Sequence, residues 1–271
     1  MPPIVALITD FGTRDHYAGA TKGAILAACP EATLVDIAHD LPPHDVAEAA
    51  YCLAASYRAF PAGAVFLAVV DPGVGSERRA IAVGGGGYRF VGPDNGILGL
   101  VLAELPSPCV HAVTNSALFR RPVSSTFHAR DIFAPVAGCL ARGVAFEDVG
   151  PAIGDPVALA IVPPRQVGES EWEGTVIHTD RFGNLTTNIG GREMGAIFER
   201  VGGDPTEIVV ALEGVVLPLV TSYSEVSEGE ACALVGSSAR LEVAVHRDSA
   251  ARVLGAGPGA KVRVRAVSAR G

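Results

Sequence analysis

The chain predicts the α/β class: an N-terminal α/β domain on a largely parallel sheet over residues 1–165, then a smaller C-terminal all-β domain, barrel or sandwich, over 166–271. Three observations predict it. In the first half, short apolar runs alternate with Ala-rich helical stretches, an order that favours parallel strands joined by right-handed crossovers. Beyond about residue 174 the pattern becomes short β-branched runs separated by turns. Two early runs, IVALITD and AVFLAVVD, stop at an aspartate followed by turn residues, as buried strands do at their carboxyl ends.

The elements follow in order. Ile4–Thr9 reads as a strand and the Ala-rich Tyr17–Ala28 as a helix that Pro30 ends. Thr33–Ile37 is strand-like. Val46–Phe60 is helical in composition, with Asp45 placed to cap it. Ala64–Val70 is the third strand, and Arg79–Val83 and Tyr88–Val91 flank four glycines as a hairpin would. A helix from Asn95 to about Glu104, a strand near Val110–Val113 and a helix from Asp131 to Leu140 complete this half. The segment 161–174 has the Pro, Gly and Ser content of a linker or domain entry. After it come strand-like runs at Thr175–His178, Glu207–Leu212, Val215–Val220, Ala231–Val235, Leu241–Val245 and Lys261–Val267.

Composition excludes several classes. With 271 residues, 49% of them hydrophobic, the chain can bury proper cores and is not disordered. A net charge of -8 argues against nucleic-acid binding, which rests on Lys and Arg. The five cysteines form no CxxC and no regular framework, so free thiols are expected. MPPIVALITD lacks the features of a secretory leader and no window supplies about 20 apolar residues for a membrane span. A soluble, cytoplasmic protein is the expectation.

Three segments carry chemistry. In VVDPGVGSERR, Pro72 and Gly73 suit the centre of a type II turn that leaves Asp71 at a strand tip and brings Arg78 back towards it; a turn with a surface salt bridge is the plain alternative. In STFHARD, His128 stands among small and hydroxyl residues before a helix, the residue type for proton transfer near neutral pH; capping or packing is the alternative. His128 with Asp131 lacks the further ligands a metal site needs, so no metal is expected. In HTDRFGNLTTNI, Phe182 beside Asn184 pairs a π face with an amide, as recognition of a nucleobase requires; a β-turn chosen for backbone reasons is the alternative. GGGG at 84–87 joins two strands with no helix after it and matches neither dinucleotide nor P-loop pattern.

Taken together, ITDFGTRDHYAGATKGAI, VVDPGVGSERRAIAV, VGPDNGIL, STFHARDIFAPVA and TDRFGNLTTNI resemble, in order and over nearly the whole chain, the S-adenosyl-L-methionine (SAM) hydroxide adenosyltransferases. These are adenosine-forming SAM hydrolases related to the fluorinases and chlorinases. The resemblance implies a C-terminal β-barrel, a homotrimer with sites at the subunit interface, and hydrolysis of SAM to adenosine and methionine without a cofactor. It implies a water-handling triad of Asp71, Arg78 and His128. Asp10 would hold the ribose hydroxyls. Phe182, Asn184 and Tyr223 would meet the adenine, and Asp180, Ser237 and Asp15 the methionine end. Relatives commonly read Asn-Ser-x-Gly-Tyr-Leu where this chain has Gly236 to Leu241. The halogenating relatives carry a tyrosine where this chain has Asp71, which places it on the hydrolase side. A halogenase and a non-catalytic adenosine or SAM sensor are the alternatives.

Overall fold

The structure, a computed structural model, describes residues 2–159 and 162–267. The chain divides into two compact units, Met1–Ala160 and Ile161–Gly271. In the first, the apolar runs become β1 (Ile4–Thr9), β2 (Thr33–Ala38) and β3 (Val65–Val69). Between them lie α1 (Tyr17–Ala28) and α2 (Val46–Ser56), the latter capped by Asp45, whose side chain accepts the Glu48 N–H. Then come β4 (Ala80–Gly85), β5 (Tyr88–Pro93), α3 (Gly99–Glu104), β6 (Cys109–Ala112) and α4 (Ala134–Ala141).

The sheet runs β2-β1-β3-β5-β4-β6. β2, β1, β3 and β5 are mutually parallel, whereas β4 is antiparallel to both its neighbours. The sheet is therefore mixed, with β4 running against the other five strands. The cause is local: Gly86 and Gly87, at φ 57° and 84°, fold β5 straight back onto β4 in the two-residue turn that needs two left-handed positions. Both faces are covered. Val5, Leu7, Val65 and Leu67 pack with Phe133 and Leu140 on one side; Ala6, Ile8, Phe66 and Phe90 pack with Leu53 and Val101 on the other. Burial on both faces is why these strands read as continuous apolar runs without alternation.

One helix starts later than the sequence predicts, and another opens in a different helical form. α3 begins at Gly99 because Gly96, at φ 98°, closes a turn in which Gly99 N–H donates to the Gly96 carbonyl. α4 is preceded by a single π turn, Ala129–Phe133.

Residues 160 and 161 lie outside the described residues, and most of the remaining expected linker, from Arg165 on, is already sheet in the second unit. β7 (Arg165–Gly168) pairs with β8 (Glu171–Thr179). β9 (Leu185–Gly190), α5 (Gly191–Arg200), β10 (Ile208–Leu212), β11 (Val215–Pro218), β12 (Ala231–Val235), β13 (Arg240–Val245), α6 (Ala250–Leu254) and β14 (Lys261–Ala266) follow. The antiparallel order β11-β10-β14-β8-β9-β13-β12 nearly closes on itself, with Leu219 bridging to Ala233. Its interior holds Val176, Leu185, Val210, Val243, Val262 and Val264. Among the described residues no helix is long and apolar enough to cross a membrane.

Candidate active site

At the carboxyl ends of β1 and β3, Asp10 and Asp71 line one cavity of about 330 Å³, together with Phe11, Tyr17, His44, Phe127 and His128. Parallel strands direct their carboxyl ends to a common edge, which is where open α/β sheets bind ligands.

Asp71 and Arg78 form a pair in which Arg78 Nε donates to Asp71 Oδ1 at 2.9 Å and Nη2 donates to Oδ2 at 2.5 Å. Their side chains are only 6% and 11% exposed, so this is a desolvated, two-pronged contact and not the surface salt bridge of the plain alternative. The turn that produces it differs from expectation. Val74 N–H closes on the Asp71 carbonyl, but the left-handed residue is Gly75, φ 80°, and not Gly73. A type II turn needs its positive φ at the third residue, so it is the next turn, Gly73 to Ser76, that has this form. Gly75 is also required for space: a Cβ there would lie 2.5 Å from the Ser125 carbonyl oxygen.

That contact brings in the STFHARD loop. Arg78 Nη2 lies 2.8 Å from His128 Nδ1. A guanidinium only donates, so Nδ1 accepts, and the ring carries its proton on Nε2. Burial, and then the Arg78 charge, push the His128 pKa below its ordinary value, against a smaller pull from Asp71. The guanidinium also sits 5.1 Å over the Phe133 ring.

The loop itself hangs on Asp131, which is fully buried. Its carboxylate accepts from Arg130 Nε at 2.7 Å, Arg120 Nη1 at 3.1 Å and the Ser124 N–H at 2.9 Å. Although burial opposes it, these donors hold its pKa below the usual range. Asp131 is thus committed to arginines and is no metal ligand. Asp131→Ala is expected to cost about 3 kcal/mol in urea unfolding, the low end for breaking a buried pair because both arginines reach solvent.

Asp10 Oδ2 accepts the His44 N–H at 2.9 Å. His44 itself is held at φ 69°, a strained left-handed conformation at the cavity wall that no sequence signal announced. Phe11 and Tyr17 pack edge-on against Phe127 and tilted against each other, with centroids 5.2–6.0 Å apart. Asp15 is exposed and does not line this cavity.

The family model for the SAM hydroxide adenosyltransferase N-terminal domain matches residues 5–150, and that for the C-terminal domain matches residues 174–263. The chain belongs to the SAM hydroxide adenosyltransferase family. Among its relatives, the (R)-S-adenosyl-L-methionine hydrolase of Thermus thermophilus is 39% identical, the match covering 96% of this chain and 98% of the relative. That of Methanocaldococcus jannaschii is 32% identical over 93% and 91%. A fluorinase of Actinoplanes is 30% identical over 89% and 90%. A crystal structure of an uncharacterized conserved protein from Thermotoga maritima superposes with a TM-score of 0.88 at 33% identity, covering 97% of this chain and 99% of that one.

In this member of the SAM hydroxide adenosyltransferase family the remaining expected residues lie in the second unit. Asp180, Phe182 and Asn184 share one turn. Asp180 Oδ1 accepts the Phe182 and Asn184 N–H groups at 2.9 and 2.8 Å, and Oδ2 accepts from Asn184 Nδ2 at 3.1 Å. Phe182 is a large ring left 75% exposed. Tyr223 O–H donates to Glu242 Oε1 at 2.7 Å. Burial pushes the Glu242 carboxyl up and the nearby Asp180 charge adds to it, while the Tyr223 bond opposes. Ser237 is exposed in the tight turn between Gly236 and Arg240. Sequence reasoning missed Glu242, although a lone carboxylate inside LEVAV was a readable signal.

Proposed function

We propose that this protein hydrolyses SAM to adenosine and L-methionine, by in-line attack of water or hydroxide on C5′. The observation that carries the reading is one guanidinium, that of Arg78, bonded to both Asp71 and His128 at the cavity that Asp10 lines. The C5′–S bond breaks, its electron pair leaves with methionine as a neutral thioether, and an O–C5′ bond forms. A sulfonium needs no acid to leave, so the protein's task is to place a poor nucleophile in line and remove its proton.

The His128 tautomer assigns the parts. Its one ring lone pair is engaged by Arg78, so the imidazole offers Nε2–H as a donor to the nucleophilic oxygen, and Asp71 is the group left to take the proton. Arg78 fixes the carboxylate and offsets developing hydroxide charge. Asp10 is assigned to the ribose hydroxyls on family resemblance. Phe182, Asn184 and Tyr223 are assigned to the adenine and Asp180, Ser237 and Asp15 to the methionine end on family resemblance. The same reading includes domains 1–165 and 166–271, the second a β-barrel, in a cytoplasmic homotrimer with sites at the subunit interface. It includes no cofactor and no nucleic-acid or membrane partner.

Chromatography after mixing the protein with SAM should give equal adenosine and methionine, and heavy-oxygen water should label the 5′-hydroxyl. Product without label overturns direct attack. The fluorinase relatives favour a second reading, halide as nucleophile. An anionic Asp71 at the cavity repels a halide, although Arg78 offsets part of this. 5′-Chloro-5′-deoxyadenosine as main product in chloride would decide for that reading.

A pH dependence follows from His128. Its folded pKa lies below the ordinary 6.5, so protonation favours the unfolded chain. Stability and turnover are both full above pH 6.5 and fall as pH drops through the depressed value, because a protonated Nδ1 opposes the Arg78 guanidinium. The expected kcat profile is flat from pH 8 to 6.5. A rate that falls at or above pH 6.5 counts against the neutral-imidazole assignment.

A further inference from the structure

Val70 and Arg79, the chain positions that flank the Asp71–Arg78 turn, are each tied to the same dipeptide. We propose that Asp94 and Asn95 are positioning residues for the reaction, holding Asp71 and Arg78 in place through Val70 and Arg79. This rests on the reading of Asp71, Arg78 and His128 given above.

The dipeptide follows β5, the parallel neighbour of β3, so it lies beyond the same sheet edge as Asp71. Asn95 Nδ2 donates to the Val70 carbonyl at 2.8 Å, one residue before Asp71, and Asn95 Oδ1 accepts the Ile97 N–H at 3.2 Å. Asp94 works on the other arm. Its Oδ2 accepts from Arg79 Nε at 2.7 Å, one residue after Arg78, and its N–H donates to the Arg79 carbonyl at 3.0 Å. The Asp94 side chain is only 1% exposed. Its Oδ1 accepts the Val157 N–H at 2.7 Å, and Arg79 Nη1 reaches Asp155 at 2.8 Å, so the clamp is anchored on a third segment.

The close fit continues below: a Cβ on Gly92 would lie 2.5 Å from the Ala68 carbonyl oxygen, so β5 lies against β3 with space for no residue but glycine there. The turn 71–78 is therefore gripped at both feet by adjacent residues. Loss of one foot lets the carboxylate and guanidinium drift together relative to the bound carbon, without breaking the pair itself. Misplacement of about 1 Å is enough to cost on the order of 10²-fold in rate.

The test is steady-state kinetics of Asn95→Ala and Asp94→Asn with SAM, beside Asn115→Ala as a matched control. Asn115 makes the same two kinds of bond, Nδ2 to the Asp148 carbonyl at 2.8 Å and Oδ1 from the Ala117 N–H at 3.1 Å, on a loop that does not line the cavity. Asn95→Ala should lower kcat by about 30- to 100-fold, with KM for SAM within about threefold. Asn115→Ala should lose comparable thermal stability with kcat within about twofold. If Asn95→Ala does not fold, Asn95→Ser decides, because its hydroxyl still accepts the Ile97 N–H but is too short for Val70. Folded Asn95 and Asp94 variants with wild-type kcat, or an equal kcat loss in Asn115→Ala, overturn the proposal. A wild-type protein that forms no adenosine overturns the underlying reaction instead.

Discussion

Asp71→Asn is expected to reduce kcat by about 10³-fold while leaving SAM bound. The substitution keeps the shape of the side chain and removes the carboxylate proposed to take a proton from the nucleophile, an effect of roughly 10²–10⁴-fold for general bases. It also leaves Arg78, 11% exposed and stacked on Phe133, without its carboxylate. Removing one partner of a buried pair costs about 3–5 kcal/mol, so the unfolding midpoint in urea should fall with the rate. Equilibrium dialysis at low temperature separates the two effects: retained SAM binding with abolished turnover is the expected pair of results. Turnover within tenfold of wild type would remove Asp71 from the chemistry.

Gly75→Ala carries the second large effect, for a reason unconnected with charge. The left-handed φ of 80° costs an alanine roughly 1–2 kcal/mol. The new Cβ would then stand 2.5 Å from the Ser125 oxygen, a contact with backbone that has to yield. Yielding moves the turn bearing Arg78 away from the loop bearing His128, and their 2.8 Å bond lengthens. The expected outcome is a loss of at least about 2 kcal/mol, together with a kcat drop on the order of 10²-fold. Gly63→Ala is the comparison: φ is 91° there, but nothing lies within 4 Å of the added atom. It should lose stability alone. Equal kinetic damage in both variants would mean that backbone strain, and not the approach to Ser125, governs the site.

How much of this was legible depended on whether the determinant was local. β1 and α1 fall where the apolar run and the Ala-rich stretch place them, because both ends are marked by residues with strong local preferences. Asp71, Arg78 and His128 are readable as chemistry, and the turn residues bring Arg78 towards Asp71, but the arrival of His128 is readable only through resemblance, since it lies 50 residues from Arg78. α5 escaped because it starts at two glycines and its stripe is sparse: Met194 and Ile197 are its buried residues, and Glu193 secures its start by accepting the Gly190 N–H. The reversed strand of the first sheet, β4, is latent in the Gly86–Gly87 turn, because a hairpin there reverses chain direction within the sheet. The position of the positive φ, at Gly75 instead of Gly73, depends on the Ser125 backbone across the loop. The Asn95 to Val70 bond spans 25 residues and leaves no periodic trace.

The fixed proton on the His128 ring has a bearing on inhibitor selection. A wall that presents one N–H and one carboxylate suits a 5′-substituent able to receive and to give a hydrogen at once, as an alcohol does. A 5′-ammonium nucleoside would satisfy the acid but confront the imidazole with a second donor, and a 5′-thioether would satisfy neither well. Ranking such analogues by affinity reads out the orientation of that single hydrogen without altering the polypeptide.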